Sequence, residues 1–242
     1  MPTRLPLPTD FPSSPKLDII PPPTSSPQLS NVLILLHGLG DTSTSFTNLA
    51  RQLSLPETIC LSIQAPTPLP FELGGFHFGD DIQFDPTTGQ MEFDTGFSKI
   101  SQVLRVGVIQ EALIQKCGFK PREILFLGFG QGAMGALAAA ASISTDEFGG
   151  IISIGGPLPS SATSARNVKT PVLLLGGSSN TLITRSAVEK VKQTFKNVEY
   201  QKWNRAGDGM PRSRDEMLPI MRFFARRLRS RRGVPEGSIE VG

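Results

Sequence analysis

The chain has 242 residues, of which 38% are hydrophobic and 19% charged, which excludes a fibrous or wholly disordered polypeptide and suits one domain with a large core. Its net charge of +3 does not point to nucleic acid as a partner, because six arginines between Arg222 and Arg232 carry the excess. Two cysteines, Cys60 and Cys117, exclude a disulfide framework and offer no metal-ligand spacing.

Residues 1–30 hold nine of the 21 prolines and read as an extended or disordered arm, either a plain leader or a ligand for a proline-reading module. From Asn31 the pattern changes. Val32–Leu36 is a continuous apolar run ending at His37-Gly38, and similar runs follow at Ile59–Ile63, Ile124–Leu127, Ile151–Ile154 and Val172–Leu175. Strands buried on both faces of a parallel sheet look like this. Helical spacing lies between them: Phe46, Leu49, Ala50 and Leu53 after a cap at Asp41 or Thr42, then about Phe97 to Lys116, Gln131 to Ser142, and Thr184 to Phe195. Asn197–Trp203 predicts a last strand and Arg212–Arg229 a closing helix. The alternation predicts an α/β domain over 31–230, a mostly parallel central sheet with helices on both faces, and a tail over 231–242. Gln64–Phe93 has no period, and a loop of that length is expected to be functional, covering one end of the sheet.

Gly128-Phe129-Gly130-Gln131-Gly132 follows a strand and opens an alanine-rich helix. That is the setting of a G-x-S-x-G nucleophile elbow, with the central serine replaced by Gly130. Together with His37-Gly38-Leu39-Gly40-Asp41 and Gly156-Pro157-Leu158-Pro159, it makes the chain resemble the acyl-protein thioesterase/carboxylesterase family of α/β-hydrolases over roughly 31–230. The resemblance implies an α/β-hydrolase fold, an acyl-directed hydrolase and a Ser, Asp, His triad in that order. It places the triad at Gly130, Asn180 and Asp208, the last by a loose match, and the oxyanion-hole N–H groups on Leu39 and Gln131. The only histidines are His37 and His77, and both precede the elbow. Without nucleophile, base and orienting acid, an acyl-enzyme cannot form.

The remaining features have plainer readings. His37 is expected to fix its loop, with catalysis as the alternative. His77 lines the pocket or serves as a base. Asp80, Asp81 and Asp85 read as a solvated acidic loop rather than a cation site. The G-x-G-x-x-G at Gly130–Gly135 lacks an acid ending the next strand, so no dinucleotide is expected. The arginines suit the negative end of a helix, with anionic lipid, RNA or an import receptor as rivals. No cofactor, metal or nucleic acid is expected.

Neither a signal sequence nor a membrane span is visible, so the expected location is cytoplasmic, with the nucleus as alternative. Three functions follow. The first is a pseudoenzyme binding a small acyl-type ligand or a protein partner. The second is an active ester or thioester hydrolase in which Asp208 or His77 activates water. The third is a scaffold acting through its two tails.

Overall fold

A computed structural model of the chain describes residues 3–23, 29–71, 73–143, 146–162 and 165–230. The sheet has seven strands in the order β1-β3-β2-β6-β7-β8-β9. They are β1 (Leu17–Ile20), β2 (Asn31–Leu36), β3 (Thr58–Ile63), β6 (Ile124–Phe129), β7 (Gly150–Ile154), β8 (Val172–Gly176) and β9 (Val198–Lys202). Six run parallel and β1 alone pairs antiparallel, on β3. The apolar runs are the buried strands, as the sequence predicts. Alternation along β2 sends Val32, Ile34 and Leu36 into one core layer, and Leu33 and Leu35 into the other.

Helices cover both faces, and this is an α/β-hydrolase fold. Beneath the first layer lie α2 (Ser98–Val103), α3 (Gln131–Ala141) and α4 (Arg185–Thr194). Over the second lie α1 (Ser43–Leu53) and α5 (Arg214–Arg227). The helix expected from Phe97 to Lys116 is present, but beyond α2 it is wound more widely over Leu104–Lys116 and ends with the Cys117 N–H donating to the Ala112 carbonyl. The segment read as lacking period contains one short antiparallel pair, β4 (Thr67–Pro68) with β5 (Phe76–His77), and a bridge between Phe84 and Met91.

The N-terminal arm is a correction. Pro8–Asp10 forms a single tight turn and Leu17–Ile20 is a strand of the sheet, with Leu17 opposite Ile63 and Ile20 opposite Cys60. Lys16–Ile20 is the longest stretch without proline in residues 1–30, and an edge strand tolerates proline at its ends. Asp18 joins β1 to α1 by accepting from the Ser43 and Thr47 hydroxyls at 3.1 and 2.8 Å. Arg4 donates to both oxygens of Asp10 at 2.7 Å and holds that carboxyl well below its usual range. The predicted tail over 231–242 lies outside the described residues.

Both cysteines are free and buried, and burial pushes Cys60 up to about 12 and Cys117 up to about 11, so neither is a thiolate at neutral pH. No helix among the described residues is long and apolar enough to cross a membrane.

If residues 1–20 were a loose arm, their removal would leave stability unchanged. Because they form β1, deletion is expected to lower the melting temperature by about 10 °C or more in thermal unfolding, through lost ladder bonds and an uncovered β3 edge.

Candidate functional site

The strand-to-helix turn carries the geometry that the sequence motif predicts. Gly130 lies between β6 and α3 with φ 53° and ψ −121°, a region that a side chain enters only with strain. Its N–H donates to the Ile154 carbonyl at 2.9 Å, which fixes the turn against the end of β7. Gly132, one residue into α3, lets the helix lie directly on β2: a Cβ there would collide with the carbonyls of Leu36 and His37. Close approach also brings the Gly38 loop in, and Gly38 Cα lies 3.9 Å from where a Gly130 Cβ would stand. Leu39 and Gln131, the residues matched to the oxyanion hole, therefore lie on neighbouring segments.

Phe93 stands over Gly130. A Cβ at this position would meet Phe93 Cζ at 3.1 Å. Phe93 is held there by the Gln131 side chain, whose Nε2 donates to the Phe93 carbonyl at 3.1 Å while its Oε1 accepts the Phe78 N–H at 3.2 Å. One buried amide thus fastens two points of the covering segment over the elbow. The near end is fastened to the Gly38 loop, since Gly40 N–H donates to the Phe76 carbonyl and Phe76 N–H to that of Asp41. Sequence reasoning identified Gln131 only for its backbone and missed Phe93, whose segment has no period to read.

The residues that the sequence match set at the two other triad positions lie on adjoining loops. Asn180 is exposed, with φ 46°. Asp208 reaches the loop that carries it. One Asp208 oxygen accepts Gly177 N–H at 2.9 Å and the Thr181 hydroxyl at 2.6 Å, and the other accepts Leu182 N–H at 2.8 Å. The Asp208 carboxylate thus ties down the loop that carries Asn180.

His37 is fully buried. Its Nε2 accepts Ala65 N–H at 2.9 Å, so Nδ1 carries the hydrogen and donates to the Gly38 carbonyl at 2.7 Å. Burial lowers its pKa, opposed by the Gly38 bond and the Asp41 charge. Both ring nitrogens are spent on backbone, which fixes the loop and leaves none for a ligand. His77 is also buried, yet neither ring nitrogen has a hydrogen-bond partner among the described residues. Burial lowers its pKa as well, with Asp81 opposing and Lys99 reinforcing the shift.

The acidic residues nearby have backbone roles. Asp80 accepts the Ser98 and Lys99 N–H groups and so caps α2, and Asp85 accepts those of Thr87 and Thr88. Among the described residues no group of three His, Cys, Asp or Glu could hold a metal ion. Of the C-terminal arginines, Arg226 pairs with Glu199, and Arg227 pairs with Glu147 and donates to the Gly149 carbonyl. Arg231 and Arg232 lie outside the described residues.

The fold and the Gly38 and Gly130 loops define an α/β-hydrolase. The profile of the phospholipase/carboxylesterase family matches residues 22–228, and the chain belongs to that family. It is 34% identical over 208 residues to an uncharacterized hydrolase of Schizosaccharomyces pombe, covering 83% of this chain and 85% of the relative. It is 28% identical over 223 residues to acyl-protein thioesterase 1 of Saccharomyces cerevisiae, covering 82% and 93%. Among solved structures, acyl-protein thioesterase 2 of Zea mays superposes with a TM-score of 0.61 at 19% identity, covering 88% of this chain and 98% of that one.

Two outcomes test this geometry. Gly130→Ser is expected to cost about 1–3 kcal/mol in urea unfolding, from strain at positive φ and from contact with Phe93. Phe93→Ala in the same chain should recover the contact portion and leave the strain. The histidines set a pH dependence. Both pKa values are lowered from the ordinary 6.5, so the unfolded chain binds more protons than the folded one. Stability is complete above about pH 6.5 and declines as pH falls toward the folded values. His77→Phe is expected to raise stability by about 1–2 kcal/mol, because it removes two buried unpaired nitrogens, and to flatten that decline in melts taken from about pH 7 to about pH 5.

Proposed function

We propose that this chain is a non-hydrolytic member of its family, a cytosolic or nuclear protein that binds an acyl-type small molecule or a protein partner at the carboxyl ends of its strands. The observation that carries the reading is Gly130 under Phe93: the elbow position has no hydroxyl, and an aromatic ring stands 3.1 Å from where a side chain's Cβ would be. Two further facts support it. No histidine follows the elbow, and Asp208 is engaged by three loop donors. Donors from Leu39 and Gln131 would stabilise a developing oxyanion, but stabilisation without an attacking group does not make an acyl-enzyme.

A second reading, hydrolysis by an unorthodox site, draws on His77, whose ring nitrogens are uncommitted. The hydrolase names of two relatives lend it weak weight. One assay separates the two. Purified protein is expected to turn over short-chain p-nitrophenyl esters and thioesters no faster than buffer, and to remain unlabelled by a fluorophosphonate probe. Turnover abolished by His77→Phe would establish the second reading and remove the first.

A further inference from the structure

On the face covered by α1 and α5 the two helices stand apart over the carboxyl end of β6. The gap is a groove of about 650 Å³, within the range of roughly 300–1,000 Å³ of small-molecule sites. Leu127 and Phe129 form its floor, with Leu49 on the α1 wall and Met217 on the α5 wall. Leu127 is buried, whereas Leu49, Phe129 and Met217 are only partly so, and apolar surface of this kind gains by being covered.

The groove is a separate compartment from the elbow. Alternation along β6 turns Phe129 to the α1/α5 layer, and its ring lies against Gly38, where an added Cβ would stand 2.7 Å from Phe129 Cδ1. Phe93 closes the other side, over Gly130. Phe129 lines the groove, whereas Gly130 and Phe93 do not.

The rim is charged asymmetrically. Arg212 and Arg214 stand at the start of α5, against the single carboxylate Asp41. Asp41 Oδ1 already accepts the Thr42 N–H and the Ser45 hydroxyl. The Arg214 guanidinium has no hydrogen-bond or ion-pair partner among the described residues, and that of Arg212 has only electrostatic proximity to Glu216. An apolar trough with two available guanidiniums at its mouth matches an elongated apolar molecule ending in an anion.

We propose that this groove binds a single-chain acyl carboxylate, its chain along Leu127, Phe129, Leu49 and Met217 and its carboxylate at Arg212 and Arg214. The assignment rests on the binding reading given above and moves the ligand from Gly130 to the opposite side of Phe129. A neutral apolar molecule or a helix of another protein could occupy the same trough, and the test separates them from an acyl anion.

Titration calorimetry of the full chain would use sodium dodecanoate below its micellar concentration, with dodecanol as the uncharged chain of equal length. One dodecanoate per chain is expected. Arg212→Ala with Arg214→Ala should weaken it at least ~10-fold while changing dodecanol less than ~2-fold, and Met217→Trp, which fills the trough, should weaken both at least ~10-fold. Leu49→Trp, on the opposite wall, serves in place of Met217→Trp if the latter shifts the melting temperature by more than about 3 °C. Absence of saturable dodecanoate binding up to about 1 mM overturns the proposal, as does equal loss of dodecanoate and dodecanol in the arginine variant. Binding lost in Phe93→Ala but kept in Met217→Trp refutes the groove and leaves the binding reading standing. Ester turnover together with Met217→Trp-sensitive dodecanoate binding does the reverse.

Discussion

The architecture depends on the near-contact of α3 with β2, backbone against backbone. Gly132 lies under the carbonyls of Leu36 and His37, so the first turn of α3 is set where the two central strands end. From that point the positive φ at Gly130 follows, and so do the proximity of the Gly38 loop and the aim of the Gln131 side chain at the covering segment. Substituting any side chain at 132 would push α3 away from the sheet and dissolve these relations together. The approach is also dense: every residue from Gln131 to Ala141 is buried, and the alanines let the helix sit close.

On this scaffold the polar side chains around the elbow hold loops. Gln131 spends its amide on Phe78 and Phe93. Asp208 spends its carboxylate on Gly177, Thr181 and Leu182. His37 spends both nitrogens on backbone. Each of these polar side chains would be costly to bury unpaired, and each accepts at least one main-chain N–H from another segment. A catalytic group needs the opposite, a lone pair or proton left uncommitted at the reacting atom. Among the described residues, the buried His77 nitrogens and Asp94 Oδ1 are left in that condition.

The strands were legible because Val32–Leu36 and its counterparts are continuous apolar runs, a pattern that burial on both faces demands. The elbow was legible because a glycine-flanked turn between strand and helix leaves few other readings. What could not be read has physical causes. Leu17–Ile20 is too short to show a period and is surrounded by prolines, so its pairing with β3 is set by the partner strand and not by propensity. Phe93 has no local signature, since its position is fixed by a hydrogen bond from Gln131, 38 residues away. The engagement of Asp208 was equally hidden, because its partners are mostly backbone N–H groups and any sequence supplies those.

The two outer strands bear on the behaviour of the chain when it is crowded. A sheet grows by adding strands at an open border, and such borders seed the joining of one molecule to another. At one margin β1 has four residues, with Pro15 two positions before it and Pro21 immediately after, so an incoming ribbon finds few successive donors. At the other, β9 reads Val-Glu-Tyr-Gln-Lys and is mostly exposed, with Glu199 held by Arg226. Short length on one side and ionic side chains on the other oppose ribbon-to-ribbon growth. The proline-rich segment thus acts as a hem on the sheet, and trimming it would turn β3 into a longer, apolar border open to recruitment.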